Sequence, residues 1–451
     1  AASGAGNATL AAGAPAAGWT AIDPVLRGQV EDFWHYAKVG RYDLSVDAAN
    51  KILASTANPV DVLKTFEAVA EDSKDKIDAS MLRWQSVDSM RDVPPKLLQK
   101  LDDARRPRRA DPAWIDTNIK MLAENQRSYA IALERLRDSG ELAVPQMLDY
   151  LRDPSKAEYH GVIRQAFRDM GQLVLNPLTA ATDMKDSATL IGVIGSLQSI
   201  GYPASLPYLA RLAQKSESPD IREVAKNALI KMGAADAVTT PVGDQFYDLS
   251  ESFYYDKSAI KPDPRNTDAF VWNWSEDKGL QRTKIPPTIF DQVMSERAAK
   301  TAMQLDTTKD ALSLWLAANY KREVNLGDGT DATTPPGTPS AHFFGVAAGT
   351  QYLNAALART LADNDAAVSL KIVKSLEEIV GRTNLTSGSL GDALAVVLES
   401  PDRQVRFEAA FTAAAALPTQ AFQGQDRVVP LLAEAIHQNG VPSILLLYPS
   451  A

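Results

Sequence analysis

The chain has 451 residues, 45% of them hydrophobic, with 47 Lys and Arg against 56 Asp and Glu, a formal charge of −9. That apolar fraction excludes global disorder, and the acidic balance argues against a general nucleic-acid binder, which needs clustered positive charge. Cysteine is absent, so disulfides, Cys–zinc sites and thiol catalysis are excluded.

Residues 1–22 open the chain as a low-complexity tail, AASGAGNATLAAGAPAAG over the first 18, with nothing to pack and an expectation of mobility. No stretch approaches the ~18–20 apolar residues of a membrane span. With neither a starting Met nor a signal peptide, the chain reads as a trimmed or mature form, and a periplasmic or exported location is favoured over a cytoplasmic one.

Residues 23–138 read as helical hairpins. Asp23-Pro24, Asn58-Pro59 and Asp111-Pro112 each place a capping side chain before a proline at the first helical position. Gly40 closes a first helix carrying Phe33, Trp34 and Tyr36; Leu44, Val46, Ala48, Ile52 and Leu53 mark a second. Ile115, Ile119, Leu122, Tyr129, Leu133 and Leu136 predict helix up to Gly140. With Gly40 and Tyr42 in place, this spacing resembles tetratricopeptide units, although the full motif is missing.

Residues 139–242 carry a repeat. Glycines recur at Gly140, Gly171, Gly201 and Gly233, and the last three are preceded by Phe167, Leu197 and Leu229 at four residues and by Ile163, Val193 and Ala225 at eight. That is one apolar helical stripe written three times and ended by glycine. Pro145, Pro177 and Pro207 then each open a second apolar helix. Two helices per ~30 residues make an α-solenoid unit, which must stack on neighbours to bury its face.

The pattern resembles HEAT repeats. Ser218-Pro219-Asp220-Ile221-Arg222 looks like the turn between their two helices; Ser400-Pro401-Asp402-Arg403-Gln404-Val405-Arg406 repeats it, and Arg427-Val428-Val429-Pro430 resembles a further first helix. The resemblance implies an all-α, right-handed solenoid, and a structural ladder between neighbouring repeats made by Asp220, Arg222, Asp402 and Arg406.

Residues 243–286 interrupt the repeat with an aromatic insert. Ala269-Phe270-Val271-Trp272-Asn273-Trp274 alternates, Glu276-Asp277-Lys278-Gly279 turns, and Leu280 to Ile285 alternates again, which predicts a β-hairpin. Trp272 and Trp274 share one face, where two indoles can stack on a sugar, a base or a peptide side chain; Phe270, Tyr254 and Tyr255 extend the candidate binding set. The competing role for the same rings is to pack the insert onto the repeats. Residues 287–325 return to a tetratricopeptide-like helix pair, 326–340 (GDGTDATTPPGTPS after Leu326) form an exposed linker loop, and 341–438 carry the second HEAT-like stretch. Residues 439–451, with Val441-Pro442-Ser443-Ile444-Leu445-Leu446-Leu447-Tyr448, look like the start of a truncated α/β domain, or else a tail on the last helix.

Catalytic patterns are not legible. No phosphate-binding GxxxxGK[ST], GxGxxG or complete GxSxG elbow occurs, and Ser389 sits in a Gly388-Ser389-Leu390-Gly391 that is one residue short. His35, His160, His342 and His437 are scattered and read as structural, and no cofactor or metal is expected. Asp328-Gly329-Thr330-Asp331 lacks the ordered ligands of a calcium loop and reads as solvated; the basic run Arg105-Arg106-Pro107-Arg108-Arg109 is partly cancelled by Asp102, Asp103 and Asp111. The expected function is therefore a non-catalytic protein–protein scaffold, presenting a concave repeat surface to another protein or peptide. The alternative is a small-ligand or glycan receptor that uses the aromatic insert and is coupled to a missing C-terminal domain. A hydrolytic enzyme would require a polar pocket with coupled carboxylates or histidine.

Overall fold

The computed structural model describes residues 23–73, 76–380 and 396–437. The tail 1–22, Ser389 and the strand expected within 439–451 lie outside them. The chain is mostly helical, with one two-stranded antiparallel sheet, and it divides into two compact units, residues 23–114 and 115–437. The division falls inside the stretch read from sequence as one set of hairpins. No described helix is long and apolar enough to cross a membrane.

The first unit contains α1 (Pro24–Lys38), α2 (Tyr42–Ala54), α3 (Pro59–Ser73), α4 (Ile77–Gln85) and α5 (Val93–Arg109). Asp23 and Asn58 do cap helices: their side chains accept from Val25 N and Val60 N at 2.9 and 3.0 Å. The core is an edge-to-face aromatic cluster, with Trp34 5.0 Å and Phe33 5.5 Å from Trp84 and Phe33 5.9 Å from Phe66. The basic run closes α5 and turns inward. Arg105 pairs with Asp78 at 3.0 Å, Arg108 grips Glu67 through two bonds of 2.7 and 2.9 Å, and Arg109 is buried. Its charge holds helices together and leaves little for an external polyanion.

The second unit follows α6 (Pro112–Met121) and α7 (Gln126–Ser139) with α8 (Val144–Arg152), α9 (Ala157–Met170), α10 (Leu175–Ala180), α11 (Ser187–Ile200), α12 (Leu206–Lys215), α13 (Pro219–Lys231) and α14 (Val242–Tyr254). The written repeat becomes geometry. Gly140, Gly171 and Gly201 cap α7, α9 and α11 at φ +57°, +61° and +76°, conformations that side chains disfavour. A 3₁₀ turn follows each, then the helix carrying Pro145, Pro177 or Pro207. Ile163, Phe167, Val193, Leu197, Ala225 and Leu229 are all fully buried, roughly 1.5–3 kcal/mol for each large side chain. α9 packs on α11 and α11 on α13, while α12 packs on both α13 and α14.

The chain then forms β1 (Ala269–Ser275) and β2 (Gly279–Ile285), paired Ala269 to Ile285 and Ser275 to Gly279. α15 (Phe290–Gln304) and α16 (Ala311–Leu326) pack against α14 and each other, and α17 (Ala341–Ala348), α18 (Thr350–Ala362), α19 (Ala366–Ile379) and the helices Arg403–Ala415 and Gln425–Ile436 follow. Gly243 lets α14 approach closely: a Cβ there would lie 2.4 Å from the Leu305 carbonyl at the end of α15.

Candidate functional site

The two faces of the hairpin meet different helices. Phe270, Trp272 and Trp274 alternate onto one face, Val271 and Asn273 onto the other. The first face covers α8 and α10. Trp272, only 2% exposed, donates its indole N–H to Glu141 Oε2 at 2.6 Å. Asn176 Nδ2 on α10 donates to the same Glu141 oxygen at 3.2 Å and to the Phe270 carbonyl at 2.8 Å. Burial pushes the Glu141 carboxyl up to about 7, against the opposing pull of the Trp272 and Asn176 donors. Trp274 is half-buried, donates to Glu276 Oε1 at 3.0 Å and lies under Arg152 at 5.4 Å.

The proposed aromatic binding set is thus dispersed. Phe270, Trp272 and Tyr254 are buried in packing, so their rings offer no face to a ligand in this conformation. Tyr254 and Tyr255 meet edge to face at 5.0 Å, and Arg359 of α18 donates to the Tyr255 and Tyr247 hydroxyls at 2.9 Å each while pairing with Glu251 at 2.8 Å. That cluster ties α14 to α18. The alternation predicted from sequence is correct; the face that stays open is the opposite one.

That opposite face lines a cavity of about 460 Å³. Val271, Asn273 and Thr283 form one wall; Glu296, Arg297 and Lys300 of α15 form the next; Trp315, Asn319 and Arg322 of α16 face them; Thr333, Thr334 and Thr338 of the 327–340 loop and Phe344 of α17 complete it. None of these residues belonged to the binding set expected from sequence. α15 turns Glu296, Arg297 and Lys300 inward together because residues three and four apart share a helix face.

The polar groups are tightly placed. Arg322 Nη1 donates to Glu296 Oε2 at 3.0 Å, Nη2 donates to Asn319 Oδ1 at 3.0 Å, and Nε lies 3.6 Å from Asp331 Oδ2. Asp331 is therefore no solvated loop residue. Its side chain is 1% exposed, and its Oδ1 accepts from the Thr333 N–H and hydroxyl at 2.8 and 2.6 Å, pinning an otherwise exposed loop over the cavity. Burial, with Asp331 and Glu323 adding to it, pushes the Glu296 carboxyl up to about 8 against the pull of Arg322. Glu296 Oε1 has no hydrogen-bond partner among the described residues. Among the described residues Arg297 donates to neutral acceptors, the Trp272 carbonyl at 3.1 Å and Asn273 Oδ1 at 2.8 Å, while Asp183 attracts it from beyond ion-pairing distance.

A second polar constellation joins Ser375, His342 and Glu378. Ser375 Oγ is 2.8 Å from His342 Nδ1, and His342 Nε2 is 3.0 Å from Glu378 Oε1. The residue types suit nucleophile, base and acid. The geometry does not: Ser375 is fully buried, and its hydroxyl also receives the Tyr320 O–H at 2.6 Å and approaches the Lys371 carbonyl at 3.1 Å. The group fastens α16, α17 and α19. His160 is likewise structural, its Nε2 lying 3.0 and 3.2 Å from the Tyr150 and Asp153 carbonyls.

The ladder residues act within their own turns. Arg222 Nη1 donates to the Ser216 and Glu217 carbonyls at 2.7 and 3.1 Å; Arg406 Nη1 donates to those of Ser400 and Pro401 at 2.6 and 3.0 Å. The helix caps are Ser218 and Asp402, so Ser218, not Asp220, is the counterpart of Asp402; Asp220 is exposed in the first turn of α13. No protein-family model matches the chain, and no curated protein or solved structure matches it either.

Proposed function

We propose that this protein binds a small polar molecule without transforming it, in the cavity between the hairpin, α15, α16 and the 327–340 loop. The observation that carries this reading is the cavity itself: about 460 Å³, with apolar walls from Trp315 and Phe344 and convergent side chains of Arg297, Asn319 and Glu296. That combination of size, apolar lining and a few fixed polar groups is what ligand sites share. It retains the insert as the ligand-binding element, through Val271, Asn273 and Thr283 instead of the tryptophans. A thermal-shift and tryptophan-fluorescence screen tests it, because Trp315 lines the cavity. Ligands should raise Tm in the native chain and fail to do so in Thr283→Trp, which fills the space from a half-buried strand position. A ligand that stabilises both equally binds elsewhere.

We propose in addition that the frame is a right-handed superhelix of HEAT-like and tetratricopeptide-like pairs, acting as a scaffold for another protein or peptide. The series α9, α11, α13 supports it, with Ile191 and Ile230 exposed on the second and third helices. Cross-linked capture compared between the native chain and Ile191→Asp/Ile230→Asp tests this surface; equal recovery removes it as the contact.

A further inference from the structure

We infer that the molecule the cavity takes is a monosaccharide-sized organic anion, a hydroxylated carboxylate or phosphate, whose charged group is held by Arg297 and Lys300; this rests on the ligand-binding reading above. The two cations stand one turn apart on α15 and both line the cavity. Neither has a carboxylate within ion-pairing distance among the described residues, whereas Arg322 across the cavity is already matched by Asp331. A guanidinium held in place by two neutral acceptors, Asn273 Oδ1 and the Trp272 carbonyl, and attracted only from beyond ion-pairing distance by Asp183, which already pairs with Arg211, is oriented but not neutralised by a direct partner. An oriented guanidinium without a direct carboxylate partner, beside an ammonium, is the chemistry that recognises carboxylate and phosphate.

The rest of the lining selects what is attached to that anion. Glu296 is 8% exposed, lines the cavity and leaves Oε1 without a partner among the described residues, an acceptor that a ligand hydroxyl or amine satisfies. Thr283, Thr334 and Asn319 add hydroxyl and amide groups, and Trp315 adds an apolar ring face. Hydroxyls beside an aromatic wall fit a sugar-like body. The raised pKa of Glu296 agrees with this charge pattern, since a protonated Glu296 does not cancel the cations.

The test is isothermal titration of the full chain with matched pairs: glucose and glucose 6-phosphate, glycerol and glycerol 3-phosphate, plus gluconate and inorganic phosphate alone. At least one organic anion should bind tenfold or more tightly than its neutral partner and than phosphate. Lys300→Glu, at an exposed position that leaves the fold intact, should weaken it at least tenfold, and Arg297→Gln, checked for native circular dichroism, should do the same. If neutral members bind as well as anions and Thr283→Trp blocks them, the anion assignment is overturned while the cavity reading stands. Phosphate alone binding as tightly as the organic anions overturns the sugar-like body. Binding by no member overturns both.

Discussion

Trp272 and Glu141 are 131 positions apart in sequence, yet the indole N–H of one lies 2.6 Å from a carboxylate oxygen of the other, both buried. This bond fastens the hairpin to the repeat helices and decides which of its faces is left for the cavity. Removing the donor alone leaves a buried carboxyl short of a partner, about 1–3 kcal/mol, and truncating the ring adds a void. We expect Trp272→Phe to cost at least ~1–3 kcal/mol and Trp272→Ala about 3–5 kcal/mol, measured by denaturant unfolding. An unchanged midpoint for Trp272→Ala would show that the hairpin is not docked through this ring.

The same carboxyl makes stability depend on pH. Its pKa rises on folding, so the folded chain holds that proton more tightly than the unfolded one. The contribution is therefore complete below about 4.5, the unfolded value, and is lost as pH climbs through about 7. Asp263 reinforces the shift and Arg282 opposes it. Glu141→Gln keeps an acceptor for Trp272 without a charge to bury. Between pH 5 and 8 its Tm should fall less steeply than that of the native chain. Identical slopes would remove Glu141 as a source of the dependence.

What was legible in the sequence was local. A stripe at helical spacing, a glycine after it and an Asx–Pro before it act over a few residues, so the helix ends at Gly140, Gly171 and Gly201 match the structure. The β-hairpin and its turn were legible for the same reason. Which face of the hairpin packs was not, because alternation is symmetric about the strand and the answer lies in Glu141 and Asn176, about a hundred residues upstream. The turn phrases show a further limit. Matching Ser-Pro-Asp to Ser-Pro-Asp aligned Asp220 with Asp402, whereas capping and the folded-back arginines align Ser218 with Asp402. Asp331 was read as solvated because composition reports a loop's average, and its burial depends on one arginine of the preceding helix.

Glycine substitutions separate strain from contact. Gly171 sits at φ +61° with nothing within 4 Å of a Cβ, so Gly171→Ala should cost only backbone strain, about 1–3 kcal/mol. Gly243 lies in ordinary helix, but its Cβ would clash with the Leu305 carbonyl and the Thr307 N–H at 2.4 and 2.6 Å. Asp244 beside it accepts from Thr307 and Thr308 at 2.7–2.8 Å, so the α14 start cannot shift without breaking those bonds. Gly243→Ala should cost ~1–3 kcal/mol or more from overpacking and also weaken α14–α15 amide protection in hydrogen exchange, which Gly171→Ala should leave unchanged.

Asp331 and Arg322 hold the loop over the cavity. Breaking a buried pair by removing one partner strands the other charge, roughly 3–5 kcal/mol where no water enters. Asp331→Ala should therefore release the 327–340 segment to limited proteolysis before the rest of the chain is cut. An unaltered cleavage rate would mean that the Thr334 N–H and hydroxyl bonds to the Asp331 carbonyl suffice.

Glu296 should couple ligand binding to pH near 8, well above the range in which an ordinary surface carboxylate titrates. It faces Arg322 and Glu323 from α16, Asp331 from the loop, and Arg297 and Lys300 along its own helix; the hairpin wall of Val271, Asn273 and Thr283 carries no titratable group. Below about 8 the carboxyl keeps its proton, and the cavity charge is that of Arg297, Lys300 and Arg322 against Asp331. Above it, one more negative charge enters beside the anion site. Anion affinity should fall severalfold as pH rises from 7 to 9, although phosphate-bearing ligands, with a second pKa of about 6, are already mostly dianionic at pH 7. Glu296→Gln retains an acceptor for Arg322 and carries no proton to lose, so its affinity should stay flat across the same interval. A native profile that is also flat would mean that Glu296 does not change its charge at the site, and a variant profile that still falls would move the titrating group elsewhere.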